Sequence, residues 1–121
     1  MWDNMPALKA ELDAFEQAML EQFRSHRNIN AYLDELSRDI ILSGGKRLRP
    51  AMTIASAMLG RYERDKVLDS AVSIELLHTA TLVHDDIIDN SALRRNKPTV
   101  YAREGVVTAV FTGDYLLVKS L

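Results

Sequence analysis

The sequence has no cysteine, one tryptophan, and only 5 glycines and 3 prolines among its 121 residues. Without cysteine there is neither a disulfide nor a thiolate metal site, so any metal must be held by oxygen or imidazole, and a reducing compartment suits the chain. So few glycines and prolines leave few breaks in secondary structure, which makes each one informative. An excess of one charge is also missing: 15 basic residues stand against 17 acidic ones, a formal net charge of −2. Binding a phosphate backbone needs a basic excess on one face, so nucleic acid is not an expected partner. No apolar run nears the ~20 residues that span a bilayer, so no transmembrane segment is expected. Asp3, Lys9, Glu11 and Asp13 stand where a secretory signal would be basic and then apolar, and the expected location is the cytoplasm.

What is present is helical periodicity. Leu8, Leu12, Phe15, Met19 and Phe23 recur at spacings of four and three, which predicts an amphipathic helix from near Pro6. His26-Arg27-Asn28 is a polar break. A second helix is expected from Tyr32 to Leu42, with Leu33, Leu36, Ile40 and Ile41 as its buried side, closed by Ser43-Gly44-Gly45. Pro50 can open a third, running through Ile54 and Met58 to Gly60, because a first-turn N–H has no intrahelical partner to lose. After a charged connector, Arg61 to Lys66, the longest periodic segment runs from Val67 to Asp89. Asn90 to Pro98 is polar and basic, hence a loop. Pro98-Thr99 starts a short helix ending near Gly105, and Val106 to Leu121 is another. No alternating strand pattern, repeat or linker interrupts this order. The expected class is all-α, an antiparallel helical bundle in which residues 1–121 form part of one domain.

The acidic end of the long helix carries the chemistry. In Asp85-Asp86-Ile87-Ile88-Asp89, the first and last aspartates lie about 40° apart around a helix axis and one turn apart along it. Two such carboxylates repel each other and sit at the negative end of the helix dipole, so a cation relieves both costs. Oxygen ligands on one rigid face suit a hard ion such as Mg2+, which keeps waters and takes further ligands from a substrate's phosphates. Asp86 points about 100° away, better placed to orient a water or a basic neighbour. His78 precedes Asp85 by two turns, so His78, Leu82, Asp85 and Asp89 share one stripe. A solvated acidic helix end is the bland alternative, but Leu82, Val83, Ile87 and Ile88 set these acids in an apolar helix.

Two basic segments flank that helix. Lys46, Arg47 and Arg49 follow Gly44-Gly45 and precede Pro50. Glycine lets backbone approach an anion, a helix N-terminus faces it, lysine supplies a point charge and arginine a planar fork for phosphate oxygens. Arg94-Arg95-Asn96-Lys97 follows the acids directly and complements the helix C-terminus. A solubilising turn and a capping role are the plain readings of the two segments. Together they bracket a metal-competent helix end, which fits two diphosphates.

Here the residues resemble a family. Gly44-Gly45-Lys46-Arg47-Leu48-Arg49-Pro50, the run Glu75 to Asp89, Arg94-Arg95-Asn96-Lys97-Pro98-Thr99 and Gly113-Asp114-Tyr115-Leu116-Leu117 look like the trans-type isoprenyl diphosphate synthases, also called polyprenyl synthetases. The resemblance implies that Asp85 and Asp89 bind Mg2+ on an allylic prenyl diphosphate, with Asp86 in support. It implies that Lys46, Arg49 and His78 grip the diphosphate of isopentenyl diphosphate, that Arg94 faces the allylic diphosphate and that Arg95 faces the isopentenyl one. The implied reaction is head-to-tail chain elongation: ionisation of the allylic diphosphate, attack by the isopentenyl double bond and loss of a proton. Asp85, Asp89 and Arg94 are the catalytic candidates. A homodimer is the implied assembly. Asn96 stands where members often have glycine, and asparagine tolerates left-handed backbone. Members also carry a second aspartate-rich motif on a later helix, so these 121 residues are expected to hold at most half of the metal site and to be inactive alone. The small pair Ala80 and Thr81, one turn before the acids, implies room for a medium or long polyprenyl product.

Three other readings compete. A non-catalytic diphosphate-binding or regulatory subunit would carry the same motifs. A ferritin-like di-metal bundle could use Glu75-x-x-His78 but lacks a second such pair. A metal phosphohydrolase built on His84-Asp85 would want another upstream histidine on a separate helix, and only His26, in a polar break, is available.

Overall fold

The structure is a computed structural model that describes residues 1–24 and 30–121. The polar break His26-Arg27-Asn28 lies outside the described residues. The elements are α1 (Pro6–Glu21), α2 (Ala31–Leu42), α3 (Leu48–Ala57), α4 (Arg64–Ile88), β1 (Leu93–Arg94), β2 (Lys97–Pro98), α5 (Val100–Glu104) and α6 (Val106–Ser120). The class is all-α apart from the two-residue strands.

Helix α4 is the axis of the fold. It is packed by α1, α3, α5 and most extensively by α6. The α4–α6 pair is antiparallel: Ser73, early in α4, donates to the Ser120 carbonyl at 2.8 Å, whereas His84, late in α4, lies 3.2 Å from the Val110 carbonyl. The core forms where α1, α3 and α4 meet. All five residues of the α1 stripe, Leu8, Leu12, Phe15, Met19 and Phe23, are buried there with Ile54, Leu76 and Leu116. Each such side chain contributes about 1.5–3 kcal/mol through removal from water.

Helix ends follow local chemistry. Asn30 caps α2, its side-chain oxygen accepting from the Leu33 N–H at 3.0 Å. Helix α3 begins at Leu48, two residues before Pro50, which still lies in the first turn where a missing N–H costs nothing. Helix α4 starts at Arg64, inside the expected charged connector. It ends in a Schellman arrangement, with the Asn90 N–H on the Ile87 carbonyl and the Ser91 N–H on the Asp86 carbonyl. Asn90 takes the left-handed conformation this requires, at φ 53°.

Two features depart from expectation. Asn90 to Pro98 is not a simple loop: Leu93 pairs with Pro98 and Arg94 with Lys97 in an antiparallel hairpin. Arg95 and Asn96, at φ 50° and 62°, form its two-residue turn, of the kind that needs positive φ at both positions. The tolerance expected of Asn96 is therefore used. The buried side of α2 is also more polar than its pattern implied. Leu36 and Ile41 are buried, but so are Asp34 and Ser37, while Leu33 and Ile40 are only half-buried. The Tyr115 hydroxyl from α6 donates to Asp34 Oδ1 at 2.6 Å.

Gly113 sets the approach of α6 to α4. A Cβ there would overlap the His84 imidazole. Gly113→Ala therefore destabilises the fold by about 1–3 kcal/mol, as overpacking does, measured by denaturant unfolding; wild-type stability in that variant would disprove the tight fit. Burial first, and then the bond to Asp34, push the Tyr115 hydroxyl up to about 12. The phenol holds its proton more firmly folded than unfolded. Its contribution is thus complete below the ordinary tyrosine value of 10.0 and fades as pH rises towards 12. Tyr115→Phe lowers stability by about 1–3 kcal/mol at neutral pH, and the deficit shrinks in unfolding curves taken at alkaline pH.

Candidate diphosphate and metal site

Asp85, Asp86 and Asp89 occupy the last turn of α4, and their environments differ sharply. The Asp89 N–H donates to the Asp85 carbonyl at 2.8 Å, so the helical register survives to the end and keeps both carboxylates on one face. Asp85 and Asp89 are exposed; Asp86 is buried at 6% exposure. Arg94 chelates Asp86, with Nε 3.1 Å from both carboxylate oxygens and Nη2 2.7 Å from Oδ1. This is the basic neighbour expected for Asp86. The bond to Asp86 is the main reason that Arg94 holds its proton even more firmly than usual, and the fields of Asp85 and Asp89 add to it. Among the described residues, this guanidinium is ion-paired with Asp86, and neither Asp85 nor Asp89 has an ion-pair partner.

The hairpin that presents Arg94 is anchored on both sides. Thr99 donates to the Ser91 carbonyl at 2.7 Å and caps α5 by accepting from the Ala102 N–H at 3.0 Å. The Tyr101 hydroxyl reaches Asn90 Oδ1 at 3.0 Å. The neighbouring Arg95 guanidinium lies against Gly45: a Cβ on Gly45 would stand 3.1 Å from Arg95 Nη2. Gly45, at φ 144°, admits that approach. The two basic segments, about fifty residues apart in sequence, therefore touch.

Within the first segment the three cations part company. Lys46 and Arg49 are exposed, and the Lys46 carbonyl is held by Trp2 Nε1 at 3.2 Å. Arg47 does not offer its fork to an anion. Its guanidinium turns inward to Glu75 at 3.2 Å, to Glu16 and to the Ile41 carbonyl at 2.9 Å. The family resemblance groups Arg47 with the basic segment but implies no substrate role for it, and its inward contacts agree with that. Arg47 with Glu16 and Glu75 is the grouping that sequence reasoning missed, since nothing local links positions 31 and 28 residues apart.

His78 is half-buried on α4. Burial chiefly, then the fields of Arg49, Arg95 and Arg94, lower its pKa below the ordinary 6.5, with Glu75 opposing. Thr81 is exposed and donates to the His78 carbonyl at 2.6 Å, whereas Ala80 lies in the hydrophobic core. A cleft of about 370 Å³ opens between α2, α4 and the hairpin, lined by Gly44, Thr79, Leu82, Asp86, Arg94, Arg95 and Lys97 among others. Arg103 of α5 lines it as well and was assigned no role from sequence.

Two competing readings lose their residues. Glu75 is ion-paired with Arg47 and is not free to join His78 in a di-metal site. His84 turns to Val110 and Asp114 of α6, away from partnership with Asp85. Among the described residues no group of three or more His, Asp or Glu side chains could hold a metal by itself. Asp85 and Asp89 offer two hard oxygen donors on one face, which fits a divalent ion whose remaining ligands are water and phosphate.

A helical bundle with exposed paired carboxylates and converging cationic turns defines a protein of the isoprenoid synthase type. The sequence profile described as Polyprenyl synthetase matches residues 30–121, and the chain belongs to that family. It is 40% identical over 114 residues to heptaprenyl diphosphate synthase component 2 of Bacillus subtilis, covering 94% of this chain and 32% of that protein. It is 44% identical over 88 residues to geranylgeranyl diphosphate synthase of Saccharolobus solfataricus, covering 73% and 26%. Among solved structures, heptaprenyl diphosphate synthase from Staphylococcus aureus superposes with a TM-score of 0.86 at 36% identity, covering 93% of this chain and 35% of that one. A polyprenyl synthase from Caulobacter crescentus, complexed with calcium and isoprenyl diphosphate, gives 0.85 at 33%, covering 95% and 34%. The chain spans about a third of the length of the curated relatives it matches.

Because the fold lowers the His78 pKa, the unfolded chain takes up that proton more readily. The contribution of neutral His78 to stability is complete above pH 6.5 and is lost as pH falls below it. In an NMR titration His78 should titrate below 6.5, and inorganic pyrophosphate should raise its midpoint by offsetting Arg49, Arg94 and Arg95. A midpoint that pyrophosphate leaves unmoved would place His78 outside the anion site.

Proposed function

We propose that the chain supplies the first half of a prenyltransferase site, binding isopentenyl diphosphate and a Mg2+-complexed allylic prenyl diphosphate for chain elongation. The observation that carries this reading is the division of labour at the end of α4. Asp86 is neutralised by Arg94, and Asp85 and Asp89 remain exposed in the same acidic stretch. The calcium and isoprenyl diphosphate of the Caulobacter relative support the same choice of ligands.

Asp85 and Asp89 would hold the ion, and Arg94, fixed by Asp86, would face the allylic diphosphate. Lys46, Arg49, His78 and Arg95 would grip the isopentenyl diphosphate. Mg2+ bound there would stabilise the negative charge that develops on the leaving diphosphate. The protein groups orient both diphosphates and present preorganised positive charge, so the catalysis is electrostatic, with no covalent intermediate on the enzyme. Thr81, exposed one turn before Asp85, leaves space for the growing chain, which favours a medium or long product; Ala80 acts only by keeping the core side small. Exposed Val107, Phe111 and Val118 on α6 suit association through helix faces, in keeping with a homodimer. A cytoplasmic setting is consistent with the absence, among the described residues, of any helix long and apolar enough to cross a membrane.

A second reading has support of its own. The Bacillus subtilis relative is one component of its enzyme, so this chain can act as a diphosphate-binding subunit. Assaying the chain alone and with a polypeptide supplying the later helices of the family separates the two. Turnover restored by the second piece favours a split catalyst; silence in both favours binding without catalysis.

In the complete prenyltransferase, Asp85→Ala or Asp89→Ala should reduce turnover roughly a hundredfold or more with unchanged helicity by circular dichroism. Near-normal rates would refute the metal assignment. Lys46→Ala should raise KM for isopentenyl diphosphate roughly tenfold or more, the scale of about 1.5–3 kcal/mol for a charged hydrogen bond, and an unchanged KM contradicts its role.

A further inference from the structure

The side chain of Arg47 sits at 11% exposure, the most enclosed cation in any of the ion pairs among the described residues. Nε and Nη2 meet Glu16 of α1, Nη1 meets Glu75 of α4, and Nη2 also meets the Ile41 carbonyl at the end of α2. Its own backbone begins α3 in the left-handed region at φ 56°, a conformation that a residue with a Cβ keeps only when its surroundings hold it there. Three helices therefore converge on one guanidinium. That guanidinium also lies under the glycine turn: a Cβ on Gly45 would be 3.3 Å from Arg47 Nη1 and 3.1 Å from Arg95 Nη2.

We propose that Arg47 is a positioning residue, which does not bind diphosphate itself but fixes Lys46 and Arg49 by tying the turn between α2 and α3 to Glu16 and Glu75. This rests on the diphosphate reading above and adds to it the device that sets the geometry. The two glutamates use up the fork of Arg47, leaving its neighbours as the cations directed outward. A lysine in its place would keep the charge but could not span two carboxylates and a carbonyl, because an ammonium is a point donor without a planar fork.

A positioning role for Arg47 and plain electrostatics give opposite signs. Removing a negative charge near an anion site tightens anion binding by Coulomb's law. If Glu75 serves to hold Arg47, its removal loosens binding instead. The experiment is a calorimetric titration of this chain with inorganic pyrophosphate, helicity being checked by circular dichroism. Arg47→Lys and Glu75→Gln should each raise Kd by about three- to tenfold, the scale on which supporting residues modulate a site, while helix content stays at the wild-type level. Wild-type affinity in Arg47→Lys, or tighter binding in Glu75→Gln, overturns the proposal. Should Glu75→Gln fail to fold, Glu16→Gln, whose side chain is 36% exposed, replaces it with the same expected sign. Lys46→Ala separates this inference from the reading beneath it. Weakened binding there beside an unaffected Arg47→Lys sinks the positioning role alone. Unaltered binding in Lys46→Ala, or none in the wild type, sinks both.

Discussion

The bidentate contact between Arg94 and Asp86 joins the acidic C-terminal turn of α4 to the only hairpin among the described residues. A carboxylate buried to this degree needs a partner, since an uncompensated buried charge costs several kcal/mol. The chain turns back towards Asp86 before it reaches Arg94, and it reverses again just after. The first reversal is the left-handed Asn90 at the end of α4, and the second is the positive-φ pair Arg95–Asn96. With Asp86 neutralised, repulsion within the acidic turn is confined to Asp85 and Asp89, the two carboxylates left available to an external cation. The same reversal lays Arg95 on Gly45 and so brings the second basic segment to the first.

Helix α4 can carry these roles because every side of it is used. Ala71, Leu76, Ala80 and Val83 face the core, Gly113 lets α6 close over His84, Glu75 and Asp86 are neutralised by arginines, and Asp85 and Asp89 stay exposed. Such a helix has no single apolar face, which is the signature of an element surrounded by others. Side chains one and two turns apart stay in register on such a helix only while the backbone hydrogen bonds between them persist.

Much of this was legible in the chain itself. The stripe of α1, the extents of α2, α5 and α6, and the long helix bearing the acids all follow from periods of three and four and from sparse punctuation. The spacing of Asp85 and Asp89, the different direction of Asp86 and the tolerance of Asn96 for left-handed backbone are also properties of local geometry. The hairpin was not legible, because two-residue strands are too short to alternate and the turn lacks the usual glycine. The burial of Asp34 was hidden too, because it stands among other polar residues of α2, Glu35, Ser37, Arg38 and Asp39, and its hydrogen-bond partner Tyr115 is 81 residues away.

By itself the sequence determined the helices, their apolar faces and the placing of two carboxylates on one surface, since a regular helix converts spacing into direction. Tertiary structure alone decided which charges are satisfied inside the protein and which are left for a ligand. Asp86 found Arg94, and Arg47 found Glu16 and Glu75, so Asp85, Asp89, Lys46 and Arg49 remain outward. Ion pairing depends on distance in space, and between residues tens of positions apart that distance is set only when the helices pack.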